Sequence, residues 1–351
     1  MKTLLRLLLK SQHQRNRSGP AHTDKGMTLV ELLVGAIMAF LVITPMLAFV
    51  VDMLNTDRRE QVKSNTEQDL QAAVDFISQD LSQAIYIYDQ AGITAINNTS
   101  TKLPTAPAPT TGTPILVFWK RQQIKNTVPV NANLTPKPNN CDPAALPGQR
   151  GECNDTYVLS LVAYYQITDT TPNSTWCQPS GGTCPTRIAR YEIREPVRNP
   201  YTLDATKPYY EPADLNDSQK GSDAFNTKFE FSKPTENVTN GANFPDPQVL
   251  VNYIHHNSTN VPIPTGGQCQ TFLDVTAPPP PATFNADDLL ITNNSTHSFY
   301  ACVDTSKNIA RVTIRGNSLR RLQTDANYDS KKAAYFPTAT VQVQGLGGLQ
   351  K

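Results

Sequence analysis

Residues 27–51 read MTLVELLVGAIMAFLVITPMLAFVV, the longest apolar stretch of the chain. It contains a single charged residue, Glu31. An α-helix of this length can cross the ~30 Å hydrocarbon layer of a membrane. No later segment of the sequence is apolar over a comparable length. We therefore predict one membrane-spanning helix, which comprises residues 27–54.

The leader that precedes this stretch, residues 1–26, is basic. It contains six Lys or Arg residues and one Asp, so its net charge is six minus one, or +5. Basic segments beside a membrane span stay on the cytoplasmic side, so everything after the span is expected to be exported. The whole chain has a net charge of +1, which leaves +1 minus +5, or −4, for the rest. That value argues against a nucleic-acid partner, which would need a strongly basic face.

Two other kinds of N-terminal segment compete with this interpretation. A secretory signal peptide has an apolar region of only ~7–15 residues, followed by a small-x-small cleavage site. The apolar region here is longer, and residues 49–52 at its end read FVVD, which offers no such site. A plain single-pass anchor explains the length and the orientation, but it gives no reason for Glu31.

The junction between the leader and the apolar stretch carries a recognisable motif. Residues 25–33 read KGMTLVELL, which resembles the type IV prepilin signal: a basic leader ending in Gly, then Phe or Met, then Thr-Leu-x-Glu. The resemblance implies that a prepilin peptidase cuts between Gly26 and Met27 and that the new amino group of Met27 is methylated. It also implies that residues 27–54 form a filament core, in which Glu31 pairs with the N-terminus of a neighbouring subunit.

The chemistry of three residues in this region, Gly26, Glu31 and Pro45, supports or qualifies this interpretation. Gly26 has no side chain, which suits the residue before a bond that a peptidase must reach at the membrane surface. An ionised Glu31 within a span costs up to ~2.5–3.5 kcal/mol at the helix centre, so it indicates a function; the alternative is a glutamate that reaches the headgroups. Pro45 removes a backbone donor and is expected to kink the helix, although membrane helices also tolerate proline.

The helix is predicted to continue beyond the membrane through residues 55–90. Apolar residues recur there at intervals of three and four, the spacing of one helical face. They are Leu70, Val74, Ile77, Leu81, Ala84 and Tyr88. Polar residues, including Asp80, are assigned to the other faces, and the helix is expected to end near Tyr88. Residues 79–84 resemble the end of the spine helix in the larger minor pseudopilins of the J-like class.

Residues 91–351 are predicted to form an exported β-rich globular domain. Short apolar or alternating runs indicate antiparallel strands, of which the run at 187–193 is expected to be half-buried. They lie at 115–119, 157–167, 187–193, 249–254, 300–303, 309–314 and 338–343. A long helix packed on an antiparallel β-sheet makes the fold class α+β. We expect a surface loop at 99–113 and long insertions at 121–155, 195–247 and 256–296.

Six cysteines lie in the region that we place outside the cytoplasm, where disulfides persist. They are Cys141, Cys153, Cys177, Cys184, Cys269 and Cys302. Several pairings are open; we favour the sequential set 141–153, 177–184 and 269–302, because it closes the shortest loops. A zinc site is the alternative, but the sequence lacks a C-x-x-C pair, and we predict no metal.

No enzyme motif is present: the sequence contains no G-x-S-x-G, no P-loop and no H-E-x-x-H. We therefore predict no catalytic residue. Residues 214–218 read DLNDS, with oxygen donors at alternating positions, but the glycine and the bidentate glutamate of a calcium loop are missing. Arg311, Arg315, Arg320 and Arg321 form a basic run. We interpret it as a solvated strand face; a contact with acidic polysaccharide or DNA is the alternative.

The C-terminal region resembles one family more narrowly. Residues 315–320 read RGNSLR and residues 334–345 read AYFPTATVQVQG. These segments resemble the cyanobacterial hormogonium polysaccharide secretion pseudopilins of the HpsC type. The resemblance implies a role in polysaccharide secretion and gliding motility, beside a type IV pilus-like machine.

The sequence thus predicts a non-enzymatic minor pilin or pseudopilin without a cofactor. Its expected partners are the prepilin peptidase, other pilins or pseudopilins, the inner-membrane assembly platform, the lipid bilayer and a polysaccharide. It would be a single-pass inner-membrane protein with a cytoplasmic N-terminus until processing, and part of a pilus-like filament afterwards. The alternatives are a pilus-borne adhesin or glycan-binding module on the same anchor, and a membrane-tethered exported enzyme, for which the sequence shows no acid/base pair.

Overall fold

The fold is α+β, as predicted, with one long N-terminal helix and antiparallel strands. The chain divides into two compact units, Met1–Asp57 and Arg58–Lys351. The computed structural model describes residues 28–97, 103–104, 106, 110–130, 153–203, 210, 246–255, 261–262, 264–277, 284–293, 296–324 and 326–346.

The long helix α1 comprises Leu29–Ser82, 54 residues in all. The prediction of one continuous helix is confirmed up to this point. The predicted end near Tyr88 is wrong, because residues Ala84–Ile87 form strand β1. Their sequence, AIYI, is rich in β-branched and aromatic side chains, which favour strands. Pairing of β1 with the next strand therefore overrides the helical spacing, which continues to Tyr88.

Five antiparallel strands form the first sheet, in the order β1-β2-β3-β4-β5. After β1 they are β2 (Thr110–Pro129), β3 (Cys153–Asp169), β4 (Thr186–Arg194) and β5 (Gln248–Ile254). A short helix α2, Gln90–Asn97, lies between β1 and β2 in the chain. The four strands predicted between residues 115 and 254 are all confirmed within these elements.

Four further antiparallel strands form the second sheet, in the order β6-β7-β8-β9. They are β6 (Leu290–Thr292), β7 (Phe299–Asp304), β8 (Ile309–Arg315) and β9 (Thr338–Gln344). Helix α3 and three 3₁₀ helices accompany them, at Gly266–Phe272, Ala286–Leu289, Ser318–Arg321 and Ser330–Tyr335. The three strands predicted after residue 299 are confirmed, and they form a sheet separate from the first.

Several boundaries differ from the prediction. β2 continues to Pro129 and β3 begins at Cys153, so the insertion predicted at 121–155 is shorter. The loop predicted at 99–113 ends early because β2 begins at Thr110, and the insertion predicted at 256–296 contains α3 and β6. Pairing between β2 and β3 extends both strands into polar sequence that locally resembles a loop. Most of the predicted insertion 195–247 lies outside the described residues.

The alternation in strand β4 predicted a half-buried strand, but most of β4 is buried on both faces. Residues 186–191 are all buried, and they include Arg187 and Arg190. Both arginines form ion pairs inside the unit, Arg187 with Asp169 and Arg190 with Asp80. Alternation shows which side chains share a face of a strand, but it does not show whether the polar face is covered by another element.

One apolar core joins the second half of α1 to both sheets. The stripe predicted on α1 is confirmed, since Leu70, Val74, Ile77 and Leu81 are each at most 2% exposed. Gly316, directly after β8, lies against this stripe. A Cβ at Gly316 would lie 2.8 Å from Thr66 Cγ2 and 3.0 Å from Leu70 Cδ1, so glycine permits the close approach of helix and strand.

Candidate functional site

The first turn of α1 contains the predicted assembly residue, Glu31. Thr28 caps this turn: its Oγ1 accepts a hydrogen bond of 3.3 Å from the Glu31 N–H, and its carbonyl accepts from the N–H groups of Glu31 and Leu32. Such a hydroxyl cap is typical of a helix start. The Glu31 side chain is exposed and lies where the positive end of the helix dipole favours an anion. Sequence reasoning missed the capping role of Thr28, although Thr-x-x-Glu is a known start signal.

The predicted processing site lies next to this turn. Gly26 and Met27, with the cleavage and the methylation assigned to them, lie outside the described residues. Thr28, the first residue that the structure describes, directly follows Met27 in the chain.

The first half of α1 exposes apolar side chains in every direction. All residues from Leu29 to Leu54 are exposed, and even Val50, the least exposed of the large apolar ones, is 47% exposed. A helix that is apolar all round requires an apolar environment all round. Within the described part of the chain, α1 is the one helix long and apolar enough to cross a membrane, which fits an anchor or a signal sequence.

Pro45 lies inside this exposed half, and α1 runs continuously through it. The neighbouring Thr44 donates its hydroxyl to the Phe40 carbonyl at 2.8 Å, a bond that side chains of this type commonly form in helices. The kink predicted at Pro45 stays a prediction.

The second half of α1 ends in a buried cluster of charges. Asp80 accepts hydrogen bonds at both carboxylate oxygens: Lys120 Nζ lies 3.1 Å from Oδ1, and Arg190 Nε lies 2.6 Å from Oδ2. The Tyr164 hydroxyl donates to Oδ2 at 2.7 Å. Glu192 completes the cluster, 3.1 Å from Lys120 Nζ and 2.7 Å from Arg190 Nη2. The cluster therefore ties α1 to β2, β3 and β4 with two cations and two anions.

The pKa values in this cluster follow from burial and from the neighbouring charges. Burial alone would raise the pKa of Asp80, but the hydrogen bond from Arg190 and the charge of Lys120 outweigh it, so the pKa lies below its ordinary value. The pKa of Glu192 is likewise lowered: burial opposes the shift, and the same two cations prevail. Burial and the Asp80 carboxylate raise the pKa of Tyr164 well above its usual range. Both carboxylates are therefore ionised in the folded protein at neutral pH.

The lowered pKa values of Asp80 and Glu192 predict a loss of stability in acid. The folded state holds these protons less tightly than the unfolded state, so the stabilisation is present above the ordinary values of 3.8 and 4.5. It is lost as the pH falls through the lower folded values. We expect the free energy of unfolding, measured by urea titration, to fall more steeply below about pH 4.5 in the wild type than in Asp80→Asn. Equal slopes would contradict this assignment.

Sequence reasoning placed Asp80 on a polar face of the helix, and that assignment is wrong. Asp80 is 7% exposed and lies next to the buried Leu81. A carboxylate at the margin of an apolar stripe is an ambiguous signal, because its burial depends on whether another element supplies a cation. Here Lys120 and Arg190 come from strands far along the chain, and no local pattern connects them with the helix.

The basic run near the last strands is only partly a solvated face. Arg320 is buried, whereas Arg311, Arg315 and Arg321 are half-buried. Arg321 forms an ion pair with Asp69 of α1. The interpretation as a solvated face is therefore wrong for Arg320 and correct in part for the other three, which contact the rings of Phe272, Tyr328 and Tyr253.

Arg320 is fully buried and holds a disulfide loop. Its guanidinium donates to the carbonyl oxygens of Pro179, Gly181 and Thr183, at 3.0, 3.3 and 3.2 Å. These carbonyls belong to the loop closed by the Cys177–Cys184 bridge. Arg320 therefore binds the loop between β3 and β4 through several backbone acceptors, which are strong partners for a planar, multivalent donor.

The structure contains two of the three predicted disulfides. Cys177–Cys184 and Cys269–Cys302 are formed, and the second joins α3 to β7. The third predicted pair includes Cys141, which lies outside the described residues. Bridges of this kind stabilise loop-rich domains mainly by restricting the unfolded chain.

No group of three or more His, Cys, Asp or Glu side chains that could hold a metal ion exists among the described residues. The calcium-like segment 214–218 falls outside them. Comparison with known proteins adds no assignment, since no family model, no curated protein and no solved structure matches this chain.

Proposed function

We propose that the chain is a minor pilin or pseudopilin subunit of a type IV pilus-like or type II secretion-like machine. The observation that carries this proposal is the division of α1 into two halves. The first half exposes apolar side chains all round, whereas the second half is fixed to a sheet by Asp80 and the apolar stripe. A bilayer can surround the first half before assembly, and neighbouring helices can surround it afterwards.

The basic leader and the motif around Gly26 support the orientation and the processing in this proposal. The leader stays in the cytoplasm, the domain beyond α1 is exported, and prepilin peptidase removes residues 1–26. Cutting before the apolar stretch leaves the anchor attached to the exported domain. The methylated amino group of Met27 and Glu31 then become available for pairing between subunits at the assembly platform.

The subunit acts by assembly rather than by catalysis. Its cargo or ligand is a polysaccharide, and it supports polysaccharide secretion and gliding motility, as the resemblance of its C-terminal segments suggests. Disulfides in the exported domain suit a compartment outside the cytoplasm.

The N-terminal residue of the mature protein tests this proposal. When the chain is produced together with prepilin peptidase, the protein purified from membranes should begin at Met27 and should lack the mass of residues 1–26. Without the peptidase it should begin at Met1. Intact-mass spectrometry with N-terminal sequencing gives both values. A stable full-length precursor in the presence of the peptidase would refute the proposal.

Two glycine variants show whether the cut depends on Gly26 itself. Gly26→Val places a branched side chain directly before the bond and should leave the precursor uncut. Gly35→Val is the matched control. A Cβ at Gly35 meets nothing within 4 Å, and Gly35 lies only nine residues after Gly26. Normal processing of both variants would remove the argument from Gly26.

A further inference from the structure

A cavity of about 670 Å³ lies beside β9, in the unit Arg58–Lys351. Its wall is formed by the end of α3 (Phe272–Asp274), the turn between β7 and β8 (Ser306–Asn308), and the outward side chains Gln342 and Gln344 of β9. A cavity of ~300–1,000 Å³ has the size of a small-ligand site. Neither the helix α1 nor the charged cluster around Asp80 contributes a residue that lines it.

The polar wall of the cavity offers both hydrogen-bond donors and hydrogen-bond acceptors. Arg311 Nη1 donates to Gln342 Oε1 at 3.5 Å, and Gln344 Nε2 donates to the Lys307 carbonyl at 3.4 Å. These bonds leave the Nε2 donor of Gln342 and the Oε1 acceptor of Gln344 without a partner among the described residues. The Asp274 carboxylate adds two acceptors and the Lys307 ammonium adds a donor. A ligand that matches this wall must itself carry several groups that both donate and accept.

An aromatic ring forms the apolar wall. Phe272 is 39% exposed. The Arg311 guanidinium lies over one face of its ring, 4.2 Å from the ring centre, which leaves the opposite face for a ligand. Ile85 and Ile309 also line the cavity. A ring beside a row of amide groups suits a ligand with a C–H face and a hydroxylated edge, because each face then meets its own kind of surface.

The walls are held in place before any ligand arrives. The disulfide from Cys269 to Cys302 fixes α3 to β7. Asp304 Oδ1 accepts from the N–H and the hydroxyl of Ser306, at 2.9 and 2.6 Å, which fixes the turn. Lys307 Nζ donates to the carbonyls of Leu273 and Asp274, at 3.2 and 2.5 Å, and so joins the turn to α3. A preformed wall lowers the entropic cost of binding a small polar ligand.

We propose that this cavity binds a saccharide unit. A pyranose ring combines vicinal hydroxyls, which pair with amides and a carboxylate, with a C–H face, which packs on an aromatic ring. A polyphosphate would need more than the single ammonium of Lys307. An apolar ligand would desolvate the Asp274 carboxylate and the remaining amide atoms of Gln342 and Gln344. The proposal rests on the proposed polysaccharide ligand but not on processing at Gly26, so a failure of saccharide binding and a failure of processing are distinguishable.

Saturation-transfer difference NMR on the full chain tests the proposal. The chain is purified in a detergent without a sugar headgroup, since a maltoside or glucoside would compete for the cavity. The probes are glucose, galactose, N-acetylglucosamine and glucuronate, each at millimolar concentration. At least one probe should give a clear transfer signal in the wild type. The signal should fall at least ~fivefold in Phe272→Ala and in the double variant Gln342→Ala/Gln344→Ala, which corresponds to about 1 kcal/mol.

Thr338→Ala is the matched control, because Thr338 lies on the same exposed side of β9 but outside the cavity. It should leave the signal unchanged, and thermal unfolding should show that all variants are folded. The absence of a signal for all four probes would overturn the proposal, and so would an equal signal in the wild type and the double variant. Binding of a peptide with the sequence of β9, TATVQVQ, in place of a sugar would show instead that this edge docks a strand.

Discussion

Replacement of Asp80 by Ala is expected to lower the free energy of unfolding of the chain by about 3–5 kcal/mol, because it breaks a buried ion-pair network on one side only. Without Asp80, the cations Lys120 and Arg190 share a single carboxylate, Glu192. The cluster then carries an uncompensated positive charge at a site where burial removes water. The hydroxyl of Tyr164 also loses its acceptor.

Urea unfolding of the full chain in detergent measures this effect. Trp119 is a suitable fluorescent reporter, since it is fully buried and donates its indole N–H to the Tyr88 hydroxyl at 2.8 Å. Asp75→Ala is the control: it removes the same charge from the exposed face of α1 and should change the free energy by no more than about 0.5 kcal/mol. Equal effects of the two variants would show that the cluster does not stabilise the fold.

A double variant separates loss of charge balance from loss of packing. Asp80→Asn combined with Lys120→Met leaves one cation, Arg190, and one anion, Glu192, in the cluster. We expect it to be more stable than Asp80→Asn alone by at least ~1 kcal/mol, because the buried charges again balance. If the second substitution adds to the loss, shape rather than charge holds the end of α1 in place.

Replacement of Glu31 by Ala is expected to leave processing intact but to lower entry into filaments at least ~tenfold, which corresponds to about 1.4 kcal/mol. In the proposed filament Glu31 pairs with the amino group of a neighbouring Met27 in an apolar environment, where an unpaired charge is costly. The backbone N–H of residue 31 still bonds to Thr28 in the variant, so the start of α1 is retained.

Immunoblots of sheared filaments and of membranes measure this ratio in cells that assemble the machine. Asp52→Ala is the matched control, because it removes one carboxylate from α1 just beyond the apolar stretch. Glu31→Gln keeps the size of the side chain without its charge and should behave as Glu31→Ala does. Wild-type incorporation of Glu31→Gln would exclude charge pairing as the basis of assembly.

The local sequence is sufficient to predict the parts of the fold in which apolar residues form a long run or recur at one regular spacing. The apolar run from Leu29 to Val51 predicts the first half of α1 by itself, because an apolar run of this length can cross a membrane as a helix. The stripe from Leu70 to Leu81 predicts which face of the second half is buried. Seven of the nine described strands and two of the disulfides follow from runs and spacings of the same local kind, whereas β1 and β6 do not.

The ends of these elements and the positions of the buried charges depend on contacts between segments that are far apart in the sequence. β1 replaces the last predicted turns of α1 because β2 offers it a partner strand, and pairing of β2 with β3 carries both into polar sequence. Asp80 and Arg320 are buried because cations or carbonyls from distant segments meet them. The physical reason is that burial of a charge depends on the partner that compensates it, and a partner more than a hundred residues away leaves no trace in the local pattern.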